Sequence, residues 1–176
     1  QRQLEHIAHF DALTCLPNRV LLADRLQQAL TQSQRRGLSV GVVYLDLDGF
    51  KTVNDTHGHG LGDDLLVALA QRMRGALRDG DTLSRIGGDE FVAVLEDLEN
   101  VHDTEPVLQR LLHAAAAPVV LGEFSLQVSA SIGVTVYPQD GSEVDLLLRH
   151  ADQAMYVAKQ AGKNRYHLFD VVQDAA

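Results

Sequence analysis

Apolar positions recur along this chain with two periods that alternate. A helical stripe opens at Pro17 and Asn18 and runs through Val20, Leu21, Ala23, Leu26, Ala29 and Leu30 to about Arg35, where Gly37 ends it. Residues 39–47 are almost continuously apolar and predict a buried central strand. Residues 50–56 read as a short helix or turn, and 57–62 as a loop. The next helix spans about 64–77, with Leu65, Leu66, Ala68, Leu69, Met73 and Leu77 on one broad face. Asp63 stands at its start, where a carboxylate suits the helix dipole. Residues 82–86 and 91–95 are short runs rich in β-formers, and Gly87-Gly88 between them is a hairpin signal.

Beyond an acidic loop at 96–104, residues 107–117 are helical and Pro118 ends them. Residues 119–121 and 124–136 flank Gly122-Glu123, a second hairpin signal. Ser142, with Asp145 three residues on, has a capping-box-like pattern for the last long helix. Residues 164–169 form a final strand. Hairpins within an alternation of helices and strands predict an α+β fold with a mixed or mainly antiparallel sheet.

Composition narrows the function classes. A length of 176 residues with 45% hydrophobic content suits one globular domain. The net charge of −9 argues against general nucleic-acid binding, and it leaves any polyphosphate substrate needing local cations. One cysteine excludes an internal disulfide and fits a reducing, cytoplasmic setting. No run reaches the roughly 20 apolar residues of a membrane span, and no signal peptide is visible. The chain starts at Gln1, so it is expected to be a piece of a longer protein, in which a membrane anchor could lie. Residues 1–10 are expected to be a connecting helix, 11–170 the domain, and 171–176 the start of a linker.

The candidate chemistry is acidic. Asp46 and Asp48 are two apart, so on a strand they point to one side. Like charges at the end of a buried strand are costly without a counter-ion, and a divalent cation such as Mg²⁺ resolves that cost. Asp89 and Glu90 add two carboxylates at the hairpin turn. Lys159 and Lys163 are four apart and share a face if the helix persists that far. His57 and His59 lack a third histidine or a cysteine nearby, which favours loop roles over zinc. Arg78 and Asp81 alone read as a surface turn.

Gly87-Gly88-Asp89-Glu90-Phe91 matches the GGDEF motif letter for letter, and the chain resembles the GGDEF, or diguanylate cyclase, family over about residues 7–170. Residues 11–19, with Cys15 where Gly is usual, 46–55, 58–63 and 158–165 resemble the other family motifs in order and spacing. The resemblance implies a five-stranded, ferredoxin-like sheet wrapped by helices, related to nucleotidyl cyclases and polymerase palms. It implies condensation of two GTP into cyclic di-GMP and two pyrophosphates, across a homodimer. It assigns two Mg²⁺ ions, with Mn²⁺ as an alternative, to Asp46, Asp89 and the Leu47 carbonyl. Glu90 is a proton acceptor or further ligand, with Asp48 a weaker candidate for the chemistry. Asn54 and Asp63 bind guanine, Lys159 and Lys163 bind terminal phosphates, and Arg85 reaches a phosphate. Gly87 and Gly88 allow close approach of the backbone to the nucleotide. Arg78 and Asp81 form an inhibitory site for product, with Arg110 as a candidate further cation. Asp63 argues for guanine over a mixed dinucleotide. Linked sensor and EAL domains are expected partners. A second reading stays open: a catalytically silent module that binds GTP or cyclic di-GMP and regulates a neighbour.

Overall fold

The computed structural model describes residues 8–170; the expected connecting helix and linker fall largely or wholly outside them. Its centre is β1 (Ser39–Asp48), whose side chains divide between two faces with period two. Val43, Leu45 and Leu47 face one cluster with Leu65, Leu69, Met73, Leu108 and Leu111. Val40, Val42 and Tyr44 face another with Leu22, Leu26, Leu147 and Ala151. Burial on both faces explains the unbroken apolar run.

The helices that cover β1 are α1 (Arg19–Arg36), α3 (His59–Gly75), α4 (Thr104–Ala116) and α5 (Val144–Gln160), with a short α2 (Phe50–His57) after β1. The remaining strands are β2 (Thr82–Gly87), β3 (Glu90–Leu98), β4 (Val119–Leu121), β5 (Phe124–Leu126), β6 (Ser129–Tyr137) and β7 (Arg165–Leu168). The main sheet has the order β2-β3-β1-β6-β7, with β4 and β5 a separate pair. β1 runs antiparallel to β3 and β6, while β7 is parallel to β6. The α+β fold and mixed sheet are as the hydrophobic pattern predicts, and the five strands are as the family resemblance implies.

Four local expectations are corrected. The predicted loop at 57–62 is largely helix: α3 begins at His59 after Gly58, whose φ is 88°. Asp63 therefore lies in the second turn, away from the capping position. Packing overrides the glycine content here, because Gly62 is buried against Asn54 and a Cβ on it would lie 1.7 Å from Asn54 Oδ1. The predicted strand 124–136 divides at residues 127–128, its first part pairing with β4 and its second joining β1. Ser142 does not cap α5; Glu143 occupies that position, without a side-chain cap bond. Finally, β3 continues to buried Leu98, and a 3₁₀ turn at Val101–Asp103, capped by Asn100, replaces the rest of the acidic loop.

Sheet and helix come close together at Gly133 on β6. Ala151 and Ala154 of α5 are fully buried, and small residues let the helix backbone reach the strand. A Cβ on Gly133 would lie 2.1 Å from the Ala151 carbonyl oxygen and 2.1 Å from the Met155 nitrogen. Gly133→Ala is expected to cost about 2 kcal/mol or more, as forced overpacking does. Gly60→Ala, in open space on α3, is expected to be neutral or slightly stabilising. Urea unfolding of the two variants measures both.

Candidate active site

The strand register brings the acids together. β1 pairs Asp46 with Glu90 on β3 and with Ser131 on β6. One residue on, the Leu47 N–H donates to the Asp89 carbonyl at 3.1 Å, which holds the β2–β3 turn beside the end of β1. Asp46 is only 8% exposed. Its Oδ2 accepts from Lys159 Nζ, and its Oδ1 is buried with no hydrogen-bond partner. Burial, then the charge and hydrogen bonding of Asp46, push the Asp89 carboxyl up to about 6 from an ordinary 3.8. Burial works to lower Lys159, but the hydrogen bond and charge of Asp46, with Asp48 and Asp89, outweigh it and raise its pKa.

The like-charge neighbour of Asp46 is thus Asp89, and the expected Asp46–Asp48 pairing about one cation is corrected. Asp48 is satisfied by neutral donors: Ser129 Oγ and Ser131 Oγ at 2.7 Å each, and Asn164 N at 3.2 Å. Among the described residues no group of three or more His, Cys, Asp or Glu stands ready to hold a metal. The donor set is two carboxylates and local backbone. An unpartnered buried oxygen beside a second, destabilised carboxylate fits a hard divalent cation, which needs few protein ligands when phosphates complete its shell.

Glu90 is oriented by a residue that motif reasoning passed over. Tyr44 Oη donates to Glu90 Oε2 at 3.1 Å. Burial, the Glu90 charge and Asp152 raise the Tyr44 hydroxyl well above its usual range. The signal was present, since Tyr44 and Asp46 are two apart on one strand face.

Other expected residues are placed as follows. Arg85 donates from Nη1 to both oxygens of Asp11 at 3.1 Å, and from Nε and Nη2 to the Gly88 carbonyl at 3.0 and 2.8 Å. It braces the Gly87-Gly88 turn, so a phosphate contact requires it to leave these partners. Burial works to raise Asp11, but bonds from Thr14 and Arg85 outweigh it and lower its pKa. Asn54 Oδ1 is buried without a partner on α2, and Asp63 is exposed on the adjoining α3.

Lys163 has φ 62°, because α5 ends at Gln160; it does not share a helical face with Lys159. Asp81 is buried and accepts from Arg78 N, Nε and Nη2 and from Glu96 N, at 3.1–3.3 Å. It ties the turn to β3, while Arg78 borders a cleft of about 210 Å³ with Gly80, Glu96 and Asp97. Arg110 is engaged with the Ala76 carbonyl at 3.0 Å.

The raised Asp89 pKa has a stability consequence. The folded state binds the proton more tightly than the unfolded chain, so this group's ionisation destabilises the fold as pH rises from about 4 through about 6. In EDTA, Asp89→Asn is therefore expected to melt higher than the wild type at pH 7.5. The gap closes as pH falls towards 4, and melting curves at the two pH values measure it.

A family model described as diguanylate cyclase, GGDEF domain, matches residues 8–165. The bifunctional diguanylate cyclase/cyclic di-GMP phosphodiesterase MucR of Pseudomonas aeruginosa is 44% identical over 99% of this chain and 25% of its own length. The cyclic di-GMP phosphodiesterase NbdA of the same species is 39% identical over 94% of the chain and 21% of its length. Diguanylate cyclase TpbB, also from P. aeruginosa, is 37% identical over 96% of the chain and 39% of its length. The structure of a TpbB variant comprising only the GGDEF domain has a TM-score of 0.89 and 36% identity, covering 93% of this chain and 95% of that one. The chain thus spans between 21% and 39% of the length of these curated relatives. With the motif at the β2–β3 turn and the match over residues 8–165, the chain belongs to the GGDEF, diguanylate cyclase, family.

Proposed function

We propose that this domain condenses two GTP into cyclic di-GMP and two pyrophosphates, each GTP being held by one of two domains that meet face to face. The observation that carries this reading is the Asp46–Asp89 pair. A buried acceptor without a donor beside a carboxyl pushed up to about 6 is a poor arrangement for structure alone. It suits a cation that arrives with phosphate.

Asp46, Asp89 and the Leu47 carbonyl would hold two Mg²⁺ ions, for which Mn²⁺ could substitute. When bound, such ions stabilise charge on phosphoryl oxygens and lower the pKa of the attacking hydroxyl. The 3′-hydroxyl of one GTP attacks the α-phosphorus of the other. An O3′–P bond forms and the bond from the α-phosphorus to the pyrophosphate oxygen breaks; the reciprocal attack, by the 3′-hydroxyl of the second GTP on the α-phosphorus of the first, closes the ring and releases the second pyrophosphate. Glu90 accepts the hydroxyl proton or serves as a further ligand, and the Tyr44 hydroxyl orients it in either role. Asn54 and Asp63 read guanine by hydrogen bonding. Lys159 and Lys163 hold the terminal phosphates, Lys159 exchanging Asp46 for them. Gly87 and Gly88 let the exposed turn backbone approach the nucleotide.

Product inhibits through Arg78, whose guanidinium offers a planar fork to phosphate or guanine. Asp81, occupied by four donors, acts chiefly by fixing Arg78. A regulatory module without turnover is the second reading, and the similarity to NbdA, named only as a phosphodiesterase, favours it. Attached sensor and EAL domains belong to the same proposal.

Incubation of the purified domain with GTP and Mg²⁺ at several protein concentrations, with products identified by mass spectrometry, separates the readings. Cyclic di-GMP that rises more steeply than linearly with protein is expected, with Asp89→Asn about 100-fold slower, the scale of losing one electrostatic catalytic group. Added cyclic di-GMP is expected to slow the wild type and leave Arg78→Ala much less affected. No product at concentrations where dimers form contradicts the cyclase reading. Equal inhibition of Arg78→Ala contradicts the feedback site.

A further inference from the structure

Asp48 carries a carboxylate that the proposed chemistry does not use, and three donors from two parts of the chain converge on it. Oδ1 accepts from Ser131 Oγ at 2.7 Å. Oδ2 accepts from Ser129 Oγ at 2.7 Å and from Asn164 N at 3.2 Å. Ser129 lies opposite Asp48 in the β1–β6 register, and Ser131 lies opposite Asp46. Asn164 belongs to the turn that joins α5 to β7. A carboxylate has room for about four donors. Neutral donors on this scale leave Asp48 little to offer a cation.

The turn that Asp48 holds has an uncommon backbone. Lys163 and Asn164 have φ values of 62° and 50°, two successive non-glycine residues in the left-handed region. Such a conformation persists where neighbouring contacts determine it. Here the Lys163 N–H donates to the Ala158 carbonyl at 3.1 Å. Arg165 Nε donates to the Lys163 carbonyl at 3.0 Å. The Asn164 N–H, the next group along, donates to Asp48. Gly162 makes room for this arrangement, since a Cβ on it would lie 2.6 Å from Arg165 Nη2.

We propose that Asp48 is a positioning residue for the terminal phosphates of the nucleotide: it anchors Asn164 to the edge of β1 and so fixes the left-handed backbone from which Lys163 projects. The inference rests on the reading of Lys163 as a phosphate-binding residue. It gives the second acid of the Asp46-Leu47-Asp48 stretch a task separate from that of the first. Asp46 faces the reacting phosphate, and Asp48 shapes the loop that grips the far end of the same molecule. Ser129 and Ser131 orient the Asp48 carboxylate by hydrogen bonding to it.

The test is calorimetric titration of GTP and of GMP, in EDTA so that no divalent ion contributes, into wild type, Asp48→Ala, Lys163→Ala and the double variant. Each single variant is expected to lose about tenfold in GTP affinity, the scale of one hydrogen bond to a charged group. GMP affinity is expected to stay within about twofold, which also reports that the fold is intact, and the double variant is expected to be no weaker than either single one. Asp48→Asn, which keeps the shape and an acceptor, is expected to restore most of the GTP affinity. Equal losses for GMP and GTP in Asp48→Ala, or losses that multiply in the double variant, overturn the proposal. If the wild type binds GTP no better than GMP, the phosphate-binding reading fails by itself. The anchor is then judged by amide hydrogen exchange: faster exchange at Asn164 in Asp48→Ala upholds it, and unchanged exchange overturns it.

Discussion

Two carboxylates meet at the end of a buried strand, and burial together with the repulsion between them shapes the site. Asp46 is fixed by its place on β1, with core on both faces of the strand behind it. Asp89 is fixed by the hairpin, whose backbone is tied to Leu47 and whose glycines are braced by Arg85. The cost appears in the chemistry: one carboxyl is pushed up towards neutrality, and one lysine is drawn in as a counter-charge. A site that carries such a cost in its own fold is poised for a cation.

The surrounding structure distributes support in two directions. On the β3 side, Tyr44 holds Glu90 from the same face of the strand pair, and Arg85 links the turn to Asp11 in the N-terminal segment. On the β6 side, Asp48 draws Ser129, Ser131 and Asn164 together. The close seat of α5 on Gly133 fixes that helix against β6, and Lys159 lies in its last turn. The active-site geometry is therefore a consequence of sheet packing as much as of the motif residues themselves.

Much of this was legible in the sequence. The unbroken apolar run of β1, the glycine hairpin and the acids at both strand ends are local patterns with direct physical meaning. What escaped depended on tertiary contacts. The glycine-rich start of α3 reads as a loop until the packing of Gly62 against Asn54 is known. The division of 124–136 into two strands follows from pairing with different partners. Lys159 and Lys163 look like one helical face, but the helix ends between them. Asp46 and Asp48 look equivalent on a strand, and their tertiary partners tell them apart: Lys159 for Asp46, and Ser129, Ser131 and Asn164 for Asp48. Nothing local in the sequence around Ser129 and Ser131 reveals that their partner is Asp48.

The central claim is that Asp46 and Asp89, and not Asp46 and Asp48, form the cation-holding pair. Crystals grown with MnCl₂ and a non-reactive GTP analogue test it through the anomalous signal of manganese. The account predicts a peak within ligand distance of the Asp46 and Asp89 carboxylates, with Asp48 still bonded to Ser129, Ser131 and Asn164. A peak ligated by Asp48, or a bound nucleotide with no metal at Asp46, would contradict it.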